Sequence, residues 1–89
     1  MLAKVKQALR ITHNALDDEI LDLIEAAKID LSISGVQVID DTDPLIVRAI
    51  ILYSKTHFGL SNEDSEKYLR GYTSLKIHLA LCGDYHVNV

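Results

Sequence analysis

Apolar residues recur at helical spacing in four stretches of the chain and alternate in two short ones. Leu2, Val5 and Leu9 stand at i, i+3 and i+7 and predict a short helix over residues 2–10. A second helix is expected from Asn14, a good N-cap residue. Asp17, Asp18 and Glu19 fill its first turn, where the helix dipole favours acids. Its buried stripe is Leu16, Ile20, Leu23, Ile24, Ala27 and Leu31, and Gly35 is a natural stop. The third start is the sharpest, because Asp43 caps and Pro44 takes the first helical position, where its missing N–H costs nothing. Leu45, Ile46, Val47, Ala49, Ile50, Ile51, Leu52 and Tyr53 surround this helix, with Arg48 its one early charge. A helix apolar on nearly every side belongs at the buried centre of a bundle. It is expected to end at Phe58-Gly59. The fourth opens at Ser61 or Asn62 with Glu63 and Asp64 in its first turn, carries the seam Tyr68, Tyr72, Leu75, Leu79 and Cys82, and stops at Gly83.

Val36-Gln37-Val38 and the tail Tyr85-His86-Val87-Asn88-Val89 alternate instead, which suggests extended chain with one apolar side. The tail has two readings: a frayed end, or a strand added to a neighbour's edge. The fold expected is therefore all-α, a single domain over residues 1–89 built as a small bundle of one short and three longer helices, with a short extended C-terminal tail. Gly71 stands out inside the fourth helix, where glycine costs ~1 kcal/mol relative to alanine. Close backbone approach and a kink would both account for it.

Composition narrows the class. Hydrophobic content of 48% with 25% charged residues describes a folded soluble domain rather than a disordered segment. Cys82 stands alone, so no internal disulfide can form and a reducing compartment is expected. The start, Met1-Leu2-Ala3-Lys4-Val5-Lys6, puts charges where a signal peptide needs its apolar stretch, and the longest apolar run, Ala49 to Tyr53, is far too short to span a bilayer. The expectation is a cytosolic product without membrane contact.

The net charge of −4 is unevenly spread. Residues 1–16 carry Lys4, Lys6 and Arg10 and no acid, whereas residues 17–43 carry nine acids against Lys28 alone. That balance lacks the footprint of an independent nucleic-acid binder. It suits head-to-tail association, in which one subunit's basic end meets the acidic middle of the next, and equally suits ordinary solvated faces.

No catalytic constellation emerges. Asp17, Asp18, Asp22 and Glu25 lie on a helix, where residues one apart such as Asp17 and Asp18 do not face each other, and they are read as no paired-carboxylate site. Asp40-Asp41-Thr42-Asp43-Pro44 resembles the start of a calcium loop, but the glycine is missing and Leu52 stands where the bidentate acid belongs. His13, His57, His78 and His86 lack metal-ligand spacing. Ser54, Ser61 and Ser74 sit in no nucleophile elbow, and the glycines are too scattered to cradle phosphate. No enzyme activity, metal or cofactor is expected.

The informative residues are apolar ones on polar faces. With Ile20 at zero on a helical wheel, Ile29 falls at about 180° and Ile33 near 220°, beside Asp18, Asp22 and Glu25. Ile77 and Leu81 stand away from the tyrosine seam, beside Arg70, Thr73 and Ser74. Two helices that each carry an apolar pair one turn apart on a polar face suggest a second contact surface. The alternative is a small bundle that wraps these helices on both sides.

Taken in order, the segments Leu9-Arg10-Ile11, Leu16-Asp17-Asp18-Glu19-Ile20, Leu23-Ile24-Glu25-Ala26-Ala27-Lys28, Asp43-Pro44-Leu45, Arg48-Ala49-Ile50-Ile51-Leu52-Tyr53, Phe58-Gly59, Tyr68 through Leu81 and Gly83-Asp84-Tyr85 make a pattern. It resembles the head–tail connector proteins of tailed bacteriophages, also described as DNA-packaging or head-completion adaptors, over essentially the whole chain. The resemblance implies a helical, non-catalytic virion subunit made in the host bacterial cytoplasm, from a phage or prophage. Copies would form a homo-oligomeric ring beneath the portal protein after packaging, extend the DNA channel, and present a docking surface for the stopper or tail-completion protein. DNA would pass without sequence-specific binding, and an acidic wall suits sliding. The subunit or partner contacts expected are Ile29, Ile33, Ile77 and Leu81, the tail residues Tyr85, Val87 and Val89, the cations Lys4, Lys6 and Arg10, and the acids Asp18 and Asp22. The competing reading is a small acidic cellular adaptor or helix-turn-helix regulator. Its recognition helix would begin at Pro44 with only Arg48 and Lys55 as cations, poor equipment for reading DNA.

Overall fold

A computed structural model describes residues 1–58 and 64–87. Four α-helices, α1 (Leu2–Leu9), α2 (Asp17–Ile33), α3 (Pro44–His57) and α4 (Ser65–Leu81), are followed by a 3-10 turn at Gly83–Tyr85, and no strand occurs among the described residues. The all-α bundle expected from periodicity is the observed fold.

The third helix is central, packing against α1, α2 and α4. Ile46, Ala49 and Ile50 are fully buried there, with Val47 nearly so. The other helices each bring one stripe to it: Val5 from α1, Ile20, Ile24, Ala27 and Leu31 from α2, and Tyr72 and Leu79 from α4. Tyr53 meets Tyr72 edge-on at a centroid distance of 5.3 Å, an arrangement favoured by the ring quadrupoles.

Backbone chemistry sets the helix ends. Asp43 caps α3 by accepting the Leu45 N–H on Oδ1 at 2.8 Å. Gly35, at φ 105°, closes α2: its N–H bonds the Ser32 carbonyl, and the N–H of buried Val36 bonds the Leu31 carbonyl. This is the left-handed closure at which glycine avoids a Cβ penalty. Arg10 closes α1 the same way at φ 60°, with its N–H on Gln7 and that of Ile11 on Lys6.

Four boundaries differ from the expectation. Leu16, not Asn14, holds the N-cap position of α2, because the Asn14 carboxamide oxygen accepts a bond from Lys6 of α1 at 2.8 Å. α1 ends at Leu9, one residue early, as the left-handed Arg10 turns the chain. α3 ends at His57 with Phe58 in extended conformation, and Gly59 lies outside the described residues. α4 begins at Ser65, so Asp64 holds the cap position rather than the first turn; Ser61, Asn62 and Glu63 lie outside the described residues. Gly71 lies within the unbroken run of α4, and a Cβ there would meet Leu52 at ordinary contact distance (3.7 Å), so neither a kink nor close approach within the chain requires it.

The two alternating stretches meet each other. Gln37 and Val38 both donate their N–H to the Tyr85 carbonyl, and the Val87 N–H donates to the Gln37 side-chain oxygen at 2.8 Å. The Tyr85 hydroxyl donates to Asp43 Oδ2 at 2.8 Å, while His86 Nε2 donates to the Ala80 carbonyl. The described part of the tail is thus a tight turn clamped to the α2–α3 connection, with extended backbone at His86.

Asp43 therefore holds the start of α3 with one oxygen and the C-terminal turn with the other. Asp43→Ala should cost about 2–3 kcal/mol and Tyr85→Phe about 1 kcal/mol. The double variant should cost less than the sum, since both remove one bond. Urea unfolding of the three variants checks this, and strict additivity would separate the two residues.

Candidate assembly interface

Residues 17–43 carry many acids, and several have internal duties. The Asp40 carboxylate accepts the Thr42 N–H and hydroxyl, which hold its pKa below the ordinary carboxylate value. Asp41 meets Lys28 at 3.1 Å and Asp43 caps α3. The run that resembles a calcium loop is thus spent on turn and cap. No group of three His, Cys, Asp or Glu side chains among the described residues is arranged to hold a metal.

Asp30 joins α2 to α4. Its Oδ2 accepts the Tyr72 hydroxyl at 2.5 Å and the Lys76 ammonium at 3.2 Å. Five residues further on, Gly35 approaches Ala80 of α4. Contacts that advance together along both helices mean that α2 and α4 run parallel, each antiparallel to α3. Burial pushes the Asp30 carboxyl up, but the bonds from Tyr72 and Lys76 outweigh it and hold the pKa below its ordinary value. Burial, followed by the same carboxylate, raises the pKa of Tyr72.

The outward apolar residues lie where the wheel puts them. Ile29 is 58% exposed, Ile33 79%, Ile77 53% and Leu81 81%, and Val87 in the tail is also exposed. Asp18, Asp22, Lys4 and Arg10 face solvent as well. Lys6 is already engaged, forming an ion pair with Asp17 at 2.7 Å besides its bond to Asn14. Tyr85 is buried in the chain's own core, so its ring is not free for a neighbour. Val89 lies outside the described residues. A cleft of about 310 Å³ opens between the ends of α1, α3 and α4, lined by Ala8, Leu9, Arg10, Lys55, Phe58 and Tyr68. Among the described residues its lining carries two cations and no acid, with the Lys55 ammonium 5.2 Å from the centre of the Tyr68 ring.

The family model described as phage connector protein matches residues 1–86. The chain belongs to the phage connector protein family. No curated protein and no solved structure matches it. Connector proteins are structural rather than catalytic, components of the virion that work with other virion proteins at the head–tail junction. For a connector, exposed faces count for more than clefts. No helix among the described residues is long and apolar enough to cross a membrane.

Sequence reasoning missed the Asp30–Tyr72–Lys76 contact and the Asp43–Tyr85 bond, whose partners lie 42 to 46 residues apart without a local signal. Both have pH consequences. A carboxyl whose pKa is depressed on folding stabilises above its unfolded value, and the gain is lost as pH falls through the folded value. Asp30→Asn should therefore flatten the decline in stability below about pH 4. The Tyr85 hydroxyl, bonded to Asp43 and buried, is pushed up to about 12 from 10.0. A raised acid stabilises below its unfolded pKa, and that gain erodes as pH rises from about 10 to about 12. Tyr85→Phe should remove that part of the alkaline decline. Denaturant unfolding across both ranges reads each effect, and unchanged slopes would contradict it.

Proposed function

We propose that this connector works as a closed ring of its own copies, seated between the portal protein and the stopper or tail-completion protein, where it extends the DNA channel after packaging. One observation carries the reading: a helical chain of 89 residues leaves Ile29, Ile33, Ile77 and Leu81 in solvent on the outer faces of α2 and α4. Apolar side chains at one-turn spacing on two helices favour a contact with another copy over a solvated face. In this ring DNA passes through without sequence-specific contacts, consistent with the net charge of −4.

The competing regulator reading needs a recognition helix free to enter a DNA groove. The helix that would have to serve, α3, is buried by its neighbours at Ile46, Val47, Ala49, Ile50 and Ser54.

Ile29→Glu combined with Ile77→Glu should leave helical circular dichroism unchanged while reducing assembly, read by sedimentation and by electron microscopy of concentrated protein. Loss of helicity instead would assign these residues to the core. Undiminished ring formation would assign the subunit contact elsewhere.

A further inference from the structure

The outer faces of α2 and α4 carry matching sequences of side-chain character. On α2, Asp18, Asp22, Glu25, Ile29 and Ile33 all lie within about 40° of the direction opposite Ile20, at 100° per residue. On α4, Lys67, Arg70, Ser74, Ile77 and Leu81 lie within about 40° of the direction opposite Tyr72. Ile20 and Tyr72 are buried, and all ten ridge residues are exposed. Each ridge is polar in its N-terminal half and apolar in its C-terminal half. The polar halves have opposite sign, acidic on α2 and basic on α4. Glu66 lies to one side of the α4 ridge, in the first turn, where the dipole favours an acid.

The ridges also match in length, about 22 Å for residues 18–33 and about 21 Å for 67–81 at 1.5 Å per residue. Laid side by side in parallel, they place Leu81 against Ile33, Ile77 against Ile29, Ser74 against Glu25, Arg70 against Asp22 and Lys67 against Asp18. An antiparallel pairing would set each charged half against an apolar one. Among the described residues little uses these charges. Lys6, Lys28 and Lys76 form the ion pairs among the described residues, and of the α2 ridge acids only Glu25 takes part, at 3.8 Å from Lys28.

We propose that the occupant of each ridge is a second copy of this chain: the α2 ridge of one subunit packs in parallel on the α4 ridge of the next, with acids on cations at one end and isoleucines on Ile77 and Leu81 at the other. This builds on the ring reading and gives it a register. The two faces differ, so the contact is heterologous and propagates from copy to copy until it closes. The cations that meet the acidic face are then Lys67 and Arg70, not those of the N-terminal stretch.

Charge reversal tests the contact. Asp18→Lys/Asp22→Lys makes both ridges basic, and Lys67→Glu/Arg70→Glu makes both acidic. Each variant alone should self-associate at least tenfold more weakly than the unaltered chain in sedimentation equilibrium, while an equimolar mixture should recover association by alternating the two. Lys4→Glu/Arg10→Glu should leave association unchanged. Circular dichroism verifies that each variant is folded. Should a reversal unfold the chain, Asp18→Asn/Asp22→Asn should show a smaller loss in the same direction. Variants that each associate like the unaltered chain, a mixture no better than its components, or a loss confined to the Lys4/Arg10 variant would overturn the proposal. Electron microscopy separates this from the ring itself: association rescued by mixing but without closed rings keeps the contact and removes the ring, whereas rings indifferent to both ridge reversals do the opposite.

Discussion

Burial of α3 is the constraint on which the rest of the molecule depends. Its apolar residues point almost all round, so α1, α2 and α4 must each give it their one apolar stripe. Once Ile20, Ile24, Ala27 and Leu31 of α2 and Tyr72 and Leu79 of α4 are committed inward, nothing among the described residues covers the opposite sides of both helices. Ile29 and Ile33 on one outer side and Ile77 and Leu81 on the other remain in water.

Polar contacts fix how these faces are presented. Asp30 ties α2 to Tyr72 and Lys76 of α4, and the two helices run parallel, so their N-terminal halves lie towards the same end. Asp43 sets where α3 begins and clamps the C-terminal turn against that point. Asp17, Asp40 and Asp41 are taken up by Lys6, Thr42 and Lys28. Of the α2 acids without a strong partner among the described residues, Asp18, Asp22 and Glu25 share a face with Ile29 and Ile33, while Glu19 lies off it. A charged stretch that looks uniform in sequence thus divides into acids that hold the fold and acids available to a neighbour.

The parts legible in the sequence are those governed by local chemistry. Asp43-Pro44 announces a helix start because cap and proline act within two residues of each other, and Gly35 announces a stop because the left-handed turn suits it. The outward isoleucines follow from a 100° wheel alone. What sequence reading missed depends on residues far apart. Asn14 has the chemistry of a cap, but Lys6 of the preceding helix takes its oxygen, leaving Leu16 at the boundary. Tyr85 sits in an alternating tail and reads as extended, yet a carboxylate 42 residues earlier draws its hydroxyl inward. The basic N-terminal stretch reads as a surface patch, but Lys6 is already paired with Asp17 of the same chain. In the proposed assembly interface the apolar residues are visible in the sequence, whereas the proposed match between α2 and α4 rests on knowing which ridge residues are exposed.

The central claim is that side chains exposed in one copy become covered in the assembly. Hydroxyl-radical footprinting of the isolated chain and of connector-containing particles, read by mass spectrometry at Ile29, Ile33, Ile77 and Leu81, tests it most directly. The account predicts strong labelling of all four in the isolated chain and protection in the particle. Equal labelling in both states would contradict it.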